Sequence, residues 1–318
     1  MSSHHVALIP HTRRQSSRDT IRDHLTEAVP TLNVIAAATP EETRDGFDEA
    51  DILITMGMED GWYDHLGDIT WIQALSSGVN HYDLDAIEEA GTILTNAAGV
   101  HAKPIAQQVL GYMLMFERNL LQAMHQQVSG DWERFPGGEL DDKTVGIVGL
   151  GSIGRQVARY CQSFGMDVIG TKRDIEVELE DVDRLYPPEA LEEVLVAVDY
   201  LVLACPLTDE TRGLLDRDAI DHLDDDAVVI NIARGEVAVE KDLIRALQND
   251  ELGGAGLDVF EEEPLPDDSP LWELPNVIIT PHMAGSTPHY WQRCVDLFTA
   301  NYPLYEAGSY DEMDNRIV

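Results

Sequence analysis

Arg234, Glu263 and His282 each stand a few residues past a short apolar run, at 228–233, 256–259 and 277–280. A guanidinium, a carboxylate and an imidazole in that arrangement match what reduction of a 2-keto acid needs beside a hydride donor. Arginine can clamp the substrate carboxylate with two hydrogen bonds. Histidine can pass a proton to the carbonyl oxygen near neutral pH. A carboxylate beside the histidine stabilises the imidazolium and fixes its ring.

The hydride donor has a place as well. In Thr144-Val145-Gly146-Ile147-Val148-Gly149-Leu150-Gly151-Ser152-Ile153-Gly154, an apolar β-branched run ends in three glycines spaced G-x-G-x-x-G, and residues 155–164 read as a helix. The first glycine permits the tight turn and the second lets backbone approach a pyrophosphate. The third lets helix pack on strand, and the helix N-terminus faces the anion. Strand, glycines and helix arrive in the order a dinucleotide site requires. The second strand then ends in Val168-Ile169-Gly170-Thr171-Lys172-Arg173-Asp174. An acid there binds the ribose 2′-hydroxyl of NAD, whereas a 2′-phosphate needs cations. The chain has only four lysines, and one of them, Lys172, occupies the acid position beside Arg173 and the hydroxyl of Thr171. The expected cofactor is NADP(H), with NAD(H) possible if Asp174 takes the ribose.

These residues need elements to position them. Residues 1–100 alternate strands (6–10, 32–37, 51–55, 69–75, 92–96) with helical patterns such as 19–29 and 84–90. No glycine-rich phosphate loop occurs there, so this half is assigned to substrate. A long helical stretch, 101–128, leads to the Pro136-Gly137-Gly138 turn. Six strands follow: 145–150, 167–170, 200–204, 228–232, 255–259 and 277–280. A last helix, 289–306, is too short for a domain and should pack back on the first half. The expected class is α/β, with two Rossmann-like, doubly wound parallel-sheet domains and a cleft between them. Residues 1–100 and 289–318 form a flavodoxin-like substrate-binding domain, and 101–288 a dinucleotide-binding Rossmann domain. Ligands bind outside the carboxyl ends of such strands, so Arg234, Glu263 and His282 should face the dinucleotide cleft.

Five ordered motifs carry a resemblance. They are Val148-Gly149-Leu150-Gly151-Ser152-Ile153-Gly154; Cys205-Pro206-Leu207-Thr208 with Thr211-Arg212-Gly213; Asn231-Ile232-Ala233-Arg234-Gly235; Gly256-Leu257-Asp258-Val259-Phe260-Glu261-Glu262-Glu263-Pro264; and Thr280-Pro281-His282-Met283-Ala284-Gly285. Over about residues 75–290 the chain resembles the D-isomer-specific 2-hydroxyacid dehydrogenases, the family of glyoxylate/hydroxypyruvate reductases and phosphoglycerate dehydrogenases. The resemblance makes Arg234 the substrate-binding arginine, His282 the acid/base and Glu263 the glutamate that orients and charges it. It places Asp258 near the nicotinamide. Around the cofactor it places Gly149, Gly151, Ser152, Ile153, Gly154, Cys205, Pro206, Thr211, Ile232, Ala233, His282 and Gly285. Ser77, Gly78 and Val79 fall on its substrate-carboxylate loop, with Met56 and Gly57 at the side-chain pocket. A homodimer is also implied. Gln107-Gln108 depart from a common Glu followed by His or Tyr, and Ser76-Ser77 from a common Ala-Gly. The formate dehydrogenase branch lacks the Glu263 partner. A competing reading is a nicotinamide-sensing, co-repressor-like binding protein.

Composition narrows the setting. Across 318 residues, 59 acids against 21 Lys and Arg leave a net charge of −38. Such a chain repels nucleic acid and anionic membranes. No eighteen-residue apolar run exists, so no membrane span is expected. Three widely spaced cysteines (Cys161, Cys205, Cys294) fit buried thiols in a reducing, cytoplasmic setting. No cluster has the ligand spacing of a metal site. Scarce lysine and dispersed carboxylates resemble proteins of salt-in halophiles, whose acids hold hydrated K+ or Na+. At molar salt the Debye length is only about 3 Å, which screens the self-repulsion. Transfer from molar KCl to dilute buffer is therefore expected to abolish the far-UV circular dichroism of the fold. Retention of structure and activity in dilute buffer overturns this reading.

Overall fold

The computed structural model describes residues 5–11 and 15–318. In chain order these form β1 (Val6–Ile9), α1 (Gln15–Ala28), β2 (Asn33–Ala36), α2 (Pro40–Phe47), β3 (Ile52–Thr55), β4 (Trp71–Ala74), α3 (Leu84–Glu89) and β5 (Ile93–Thr95). Next come α4 (Ala102–Glu117), α5 (Leu120–Ser129), β6 (Thr144–Val148), α6 (Ser152–Ser163), β7 (Asp167–Thr171), β8 (Arg184–Tyr186), α7 (Leu191–Leu195) and β9 (Tyr200–Leu203). The chain ends with α8 (Arg217–Ile220), β10 (Val228–Asn231), α9 (Glu240–Gln248), β11 (Gly254–Leu257), β12 (Val277–Ile279) and α10 (Tyr290–Ala307). Two compact units result, Met1–Val100 with Thr287–Val318, and His101–Ser286.

In the first unit all five strands are parallel, in the order β2-β1-β3-β4-β5. This is the flavodoxin-like order. Alternate residues of each strand point to opposite faces, and both faces are covered. Ala7, Ile9, Ile52, Ile54 and Trp71 pack with α1 and α10, while Leu8, Leu53, Ile72 and Leu94 pack on the other side. Helix α10 belongs here because Phe298 stacks on the fully buried Trp71, with centroids 4.6 Å apart. Such a pair contributes about 0.5–1.5 kcal/mol beyond its buried area.

The second unit has seven parallel strands, in the order β12-β11-β10-β9-β6-β7-β8. Counted from β6, its first six strands follow the Rossmann order 3-2-1-4-5-6, with the reversal between β6 and β9. Sequence patterning expected six strands here and missed β8. That strand has three residues, lies at the sheet edge and is only partly buried, so it lacks an apolar run. The interior strands are apolar over their central residues because both faces are buried, and their polar residues (Thr144, Asp167, Thr171, Asn231) stand at strand ends. In β9, Leu201 and Leu203 enter one core, and Tyr200 and Val202 the other. The glycine fingerprint sits at the reversal point, and α6 begins within it, at Ser152 directly after Gly151, rather than at Arg155.

The single helix expected over 101–128 is two. Asn119 adopts the left-handed region (φ 53°) and separates α4, whose inner face is buried, from α5, which has no buried residue. Asparagine tolerates this conformation better than most residues. The apolar spacing on both sides concealed the break. Among the described residues, no helix is long and apolar enough to cross a membrane.

Candidate active site

The dinucleotide loop is built by close approach. Gly149 (φ +98°) packs against the β9 exit, where a Cβ would fall 2.7 Å from the Cys205 Cα. A Cβ on Gly151 would instead meet open space. Gly151 caps α6 with no side-chain bond, so the first-turn amides of Ser152, Ile153 and Gly154 are offered outward. The residues present therefore fit a pyrophosphate. At the end of β7 the Thr171 side chain is buried, Lys172 is partly exposed and Arg173 exposed. Asp174 Oδ1 accepts the Glu176 N–H (3.2 Å), closing a local turn. The loop after β9 is self-clamped: Thr211 Oγ1 donates to the Pro206 carbonyl (2.6 Å) and accepts the Thr208 N–H (2.8 Å). Cys205 lines it as a buried thiol pushed up by burial, not as an activated nucleophile. Ile232 and Ala233 are buried at the end of β10, and Gly285 is partly exposed.

Arg234, Glu263 and His282 leave β10, β11 and β12, adjacent in the sheet. Buried Asn231, to which the sequence reading gave no role, sets the arginine turn. Its amide donates to the Arg234 carbonyl (3.0 Å), and its side-chain oxygen accepts the Ala233 N–H (3.0 Å). The Arg234 guanidinium donates to the Ala233 carbonyl (2.6 Å) and is otherwise presented on an exposed side chain. Gly235 lets that turn touch the Phe260–Glu261 backbone, since a Cβ would fall 1.9 Å from the Phe260 carbonyl carbon. The two loops are thereby locked together.

Three consecutive glutamates compete for the histidine, and the geometry separates them. Glu261 accepts the Glu240 N–H at the start of α9 (3.0 Å). Glu263 accepts the Phe260 N–H through Oε1 (3.2 Å), and its Oε2 lies 2.7 Å from His282 Nδ1. Burial raises the cost of its charge. The bonds from His282 and Phe260, and the charges of His282 and Arg234, outweigh that cost and hold the carboxyl below the usual glutamate range.

The His282 turn is itself strained and braced. His282 has φ +48°, and its N–H donates to the Asp258 carbonyl (2.9 Å). Asp258 was expected beside the nicotinamide. Its side chain is 2% exposed, and its carboxylate accepts the Met283 N–H, the Ala284 N–H (both 2.8 Å) and the Thr280 hydroxyl (2.5 Å). Its acceptors serve the histidine turn. Residue type and spacing assign nothing to Thr280 or Tyr112, whose roles show only in side-chain contacts.

In the first unit the substrate candidates gather at the carboxyl ends of neighbouring strands. Met56 is exposed and Gly57 partly so after β3, while Ser77, Gly78 and Val79 follow β4. The Thr55 hydroxyl donates to the Gly57 carbonyl (2.6 Å), and Asn96 Nδ2 to the Ser77 carbonyl (2.8 Å). His81, not singled out in the sequence, lies 2.9 Å from the Met56 carbonyl. Among the described residues no three His, Cys, Asp or Glu side chains gather as metal ligands.

Residues 110–284 match the family described as D-isomer specific 2-hydroxyacid dehydrogenase, NAD binding domain. A D-3-phosphoglycerate dehydrogenase of Methanocaldococcus jannaschii is 35% identical over 82% of the chain, which spans about half (51%) of that relative's length. A glyoxylate/hydroxypyruvate reductase of Arabidopsis thaliana is 35% identical over 76% of this chain and 74% of its own. A D-isomer specific 2-hydroxyacid dehydrogenase of Xanthobacter autotrophicus, solved in complex with NADPH and MES, superposes with TM-score 0.80 at 30% identity over 98% of both chains. The chain belongs to the D-isomer specific 2-hydroxyacid dehydrogenase family and carries its NAD binding domain.

Proposed function

We propose that the protein is an NADP(H)-dependent reductase of small 2-keto acids, forming D-2-hydroxy acids. The observation that carries this is the Glu263–His282 pair held beside Arg234 on three adjacent strand ends of the dinucleotide unit. Arg234 holds the substrate carboxylate with its guanidinium fork. His282 gives its proton to the carbonyl oxygen, and Glu263 keeps the ring oriented and its charge balanced. The bound dinucleotide supplies the hydride to substrate C2. Met56, Gly57, Ser77, Gly78 and Val79 are assigned to substrate on their place at the ends of β3 and β4. Gly149, Gly151, Ser152, Ile153, Gly154, Cys205, Pro206, Thr211, Ile232, Ala233 and Gly285 are assigned to the cofactor.

The test is initial rates at molar KCl with NADPH and glyoxylate, hydroxypyruvate or pyruvate. Turnover is expected, and His282→Asn should lower kcat by about 10²–10⁴-fold. Glu263 is held below its ordinary range, so its stabilising ionised form is present above that range and lost as pH falls through the lowered value. The acid limb of kcat/KM should accordingly lie below the ordinary glutamate range and disappear in Glu263→Gln. Tight NADPH binding without turnover of any keto acid points instead to a nicotinamide sensor.

The preference for NADP(H) rests on Lys172 and Arg173 at the end of β7, with Asp174 drawn into its own turn. The NADPH held by the Xanthobacter relative supports it. Neutralising Lys172 and Arg173 together is expected to weaken NADPH at least tenfold more than NADH, about 1.4 kcal/mol. Equal losses overturn the preference.

A homodimer is supported by α5. Leu120, Met124 and Val128, four residues apart on one face, are 42%, 54% and 89% exposed, and Trp132 beyond them is 95% exposed. An apolar stripe of this kind calls for a second apolar surface. Met124→Asp with Val128→Asp should convert a dimer to monomer in sedimentation equilibrium; a wild-type monomer refutes the assignment. The buried, unpaired thiols fit a cytoplasmic protein, and the acidic surface fits one that works among hydrated K+ or Na+ ions.

A further inference from the structure

Thr280 joins helix α4 to the turn that carries His282. Its hydroxyl has one proton and two lone pairs. The Asp258 carboxylate already accepts from the Met283 and Ala284 amides, and the Thr280 proton goes to its Oδ1 at 2.5 Å. The Tyr112 hydroxyl lies 2.5 Å from the same Thr280 oxygen. With that oxygen's only proton spent, Tyr112 must be the donor. Gln108 Nε2 approaches the oxygen at 3.5 Å. The result is a directed chain from Tyr112 through Thr280 to Asp258, and Tyr112 and Asp258 are both 2% exposed. A chain with both ends buried gains more from each bond than a fully exposed one.

Its end point is the catalytic turn. Asp258 grips the two amides that follow His282, and its carbonyl accepts the His282 N–H. These contacts hold a non-glycine residue at φ +48°. The other end is equally specific. Gly256 in β11 leaves room for the Tyr112 ring, since a Cβ there would fall 2.8 Å from the ring's Cγ. Helix α4 also holds the far side of the turn, because His101 Nδ1, at its N-cap, lies 3.0 Å from the Gly285 carbonyl.

We propose that Tyr112 and Thr280 are positioning residues for His282, acting through Asp258. The proposal rests on the reading of His282 as the proton-transfer residue. Thr280→Val keeps the shape and removes the hydroxyl, Thr280→Ser keeps the hydroxyl, and Tyr112→Phe removes only the donor. Each is compared with wild type at molar KCl by glyoxylate reduction with NADPH. The cofactor-free protein is followed by histidine 15N NMR, with His282 assigned through His282→Asn, and by thermal melts. Misplacement of a reacting group by about 1 Å costs up to about 10²-fold. Thr280→Val is expected to lower kcat about tenfold, leave the NADPH KM within twofold and move the His282 signal. Serine restores both, and Tyr112→Phe shifts both in the same direction. If Thr280→Val unfolds, Tyr112→Phe carries the test. The proposal fails if the valine and phenylalanine variants keep kcat within twofold and leave the His282 signal in place. It fails equally if serine behaves like valine. A wild type that reduces no keto acid defeats the functional reading alone, and the NMR comparison still decides the positioning.

Discussion

A parallel sheet covered by helices on both faces confines polar chemistry to the strand ends. In the second unit, Val145–Val148 of β6, all of β9 and Val228–Ile230 of β10 carry no charged or amide side chain because neither face meets water. The groups that can bind, donate or accept appear within a few residues of the strands' carboxyl ends. These are the open amides after Gly151, Lys172-Arg173 after β7, Arg234 after β10, Glu263 after β11 and His282 after β12. The reversal of strand order between β6 and β9 opens the gap in which the glycine loop sits.

Rigidity at those strand ends comes from buried polar side chains that stabilise turns. Asn231 satisfies backbone groups on both sides of Arg234. Asp258 takes two amides and a hydroxyl around His282. A buried carboxylate without such donors would be strongly unfavourable, so its presence commits the surrounding backbone to one geometry. Exposed groups need less support: Glu263 and His282 are each more than a third exposed and are fixed by one another and by the Phe260 amide.

The charge distribution divides in a related way. Most of the 59 acids are spread over the surface, where screening makes their mutual repulsion tolerable in concentrated salt. The cations are few, and several are committed to particular partners: Lys143 to Asp199, Arg217 to Asp221 and Glu251, and Arg316 to Asp311. Against that background Lys172, Arg173 and Arg234 stand out as positive charge at the carboxyl ends of β7 and β10.

The sequence by itself determined the two α/β units, the glycine loop and the triad, because each is written in local signals. Apolar runs mark strands buried on both faces, glycine spacing marks a loop that must pass close to something, and the polar residues follow those strands directly. The edge strand β8 and the break at Asn119 were hidden, since a three-residue, half-exposed strand has no period and a left-handed residue leaves the flanking helical patterns intact. Only the tertiary structure decided that Asp258 turns inward to hold the backbone that follows His282. It also decided that Tyr112 and Thr280, more than 160 residues apart, share one bond. Those outcomes depend on directions of side chains brought together across the sheet, and a linear order of residue types does not encode such directions locally.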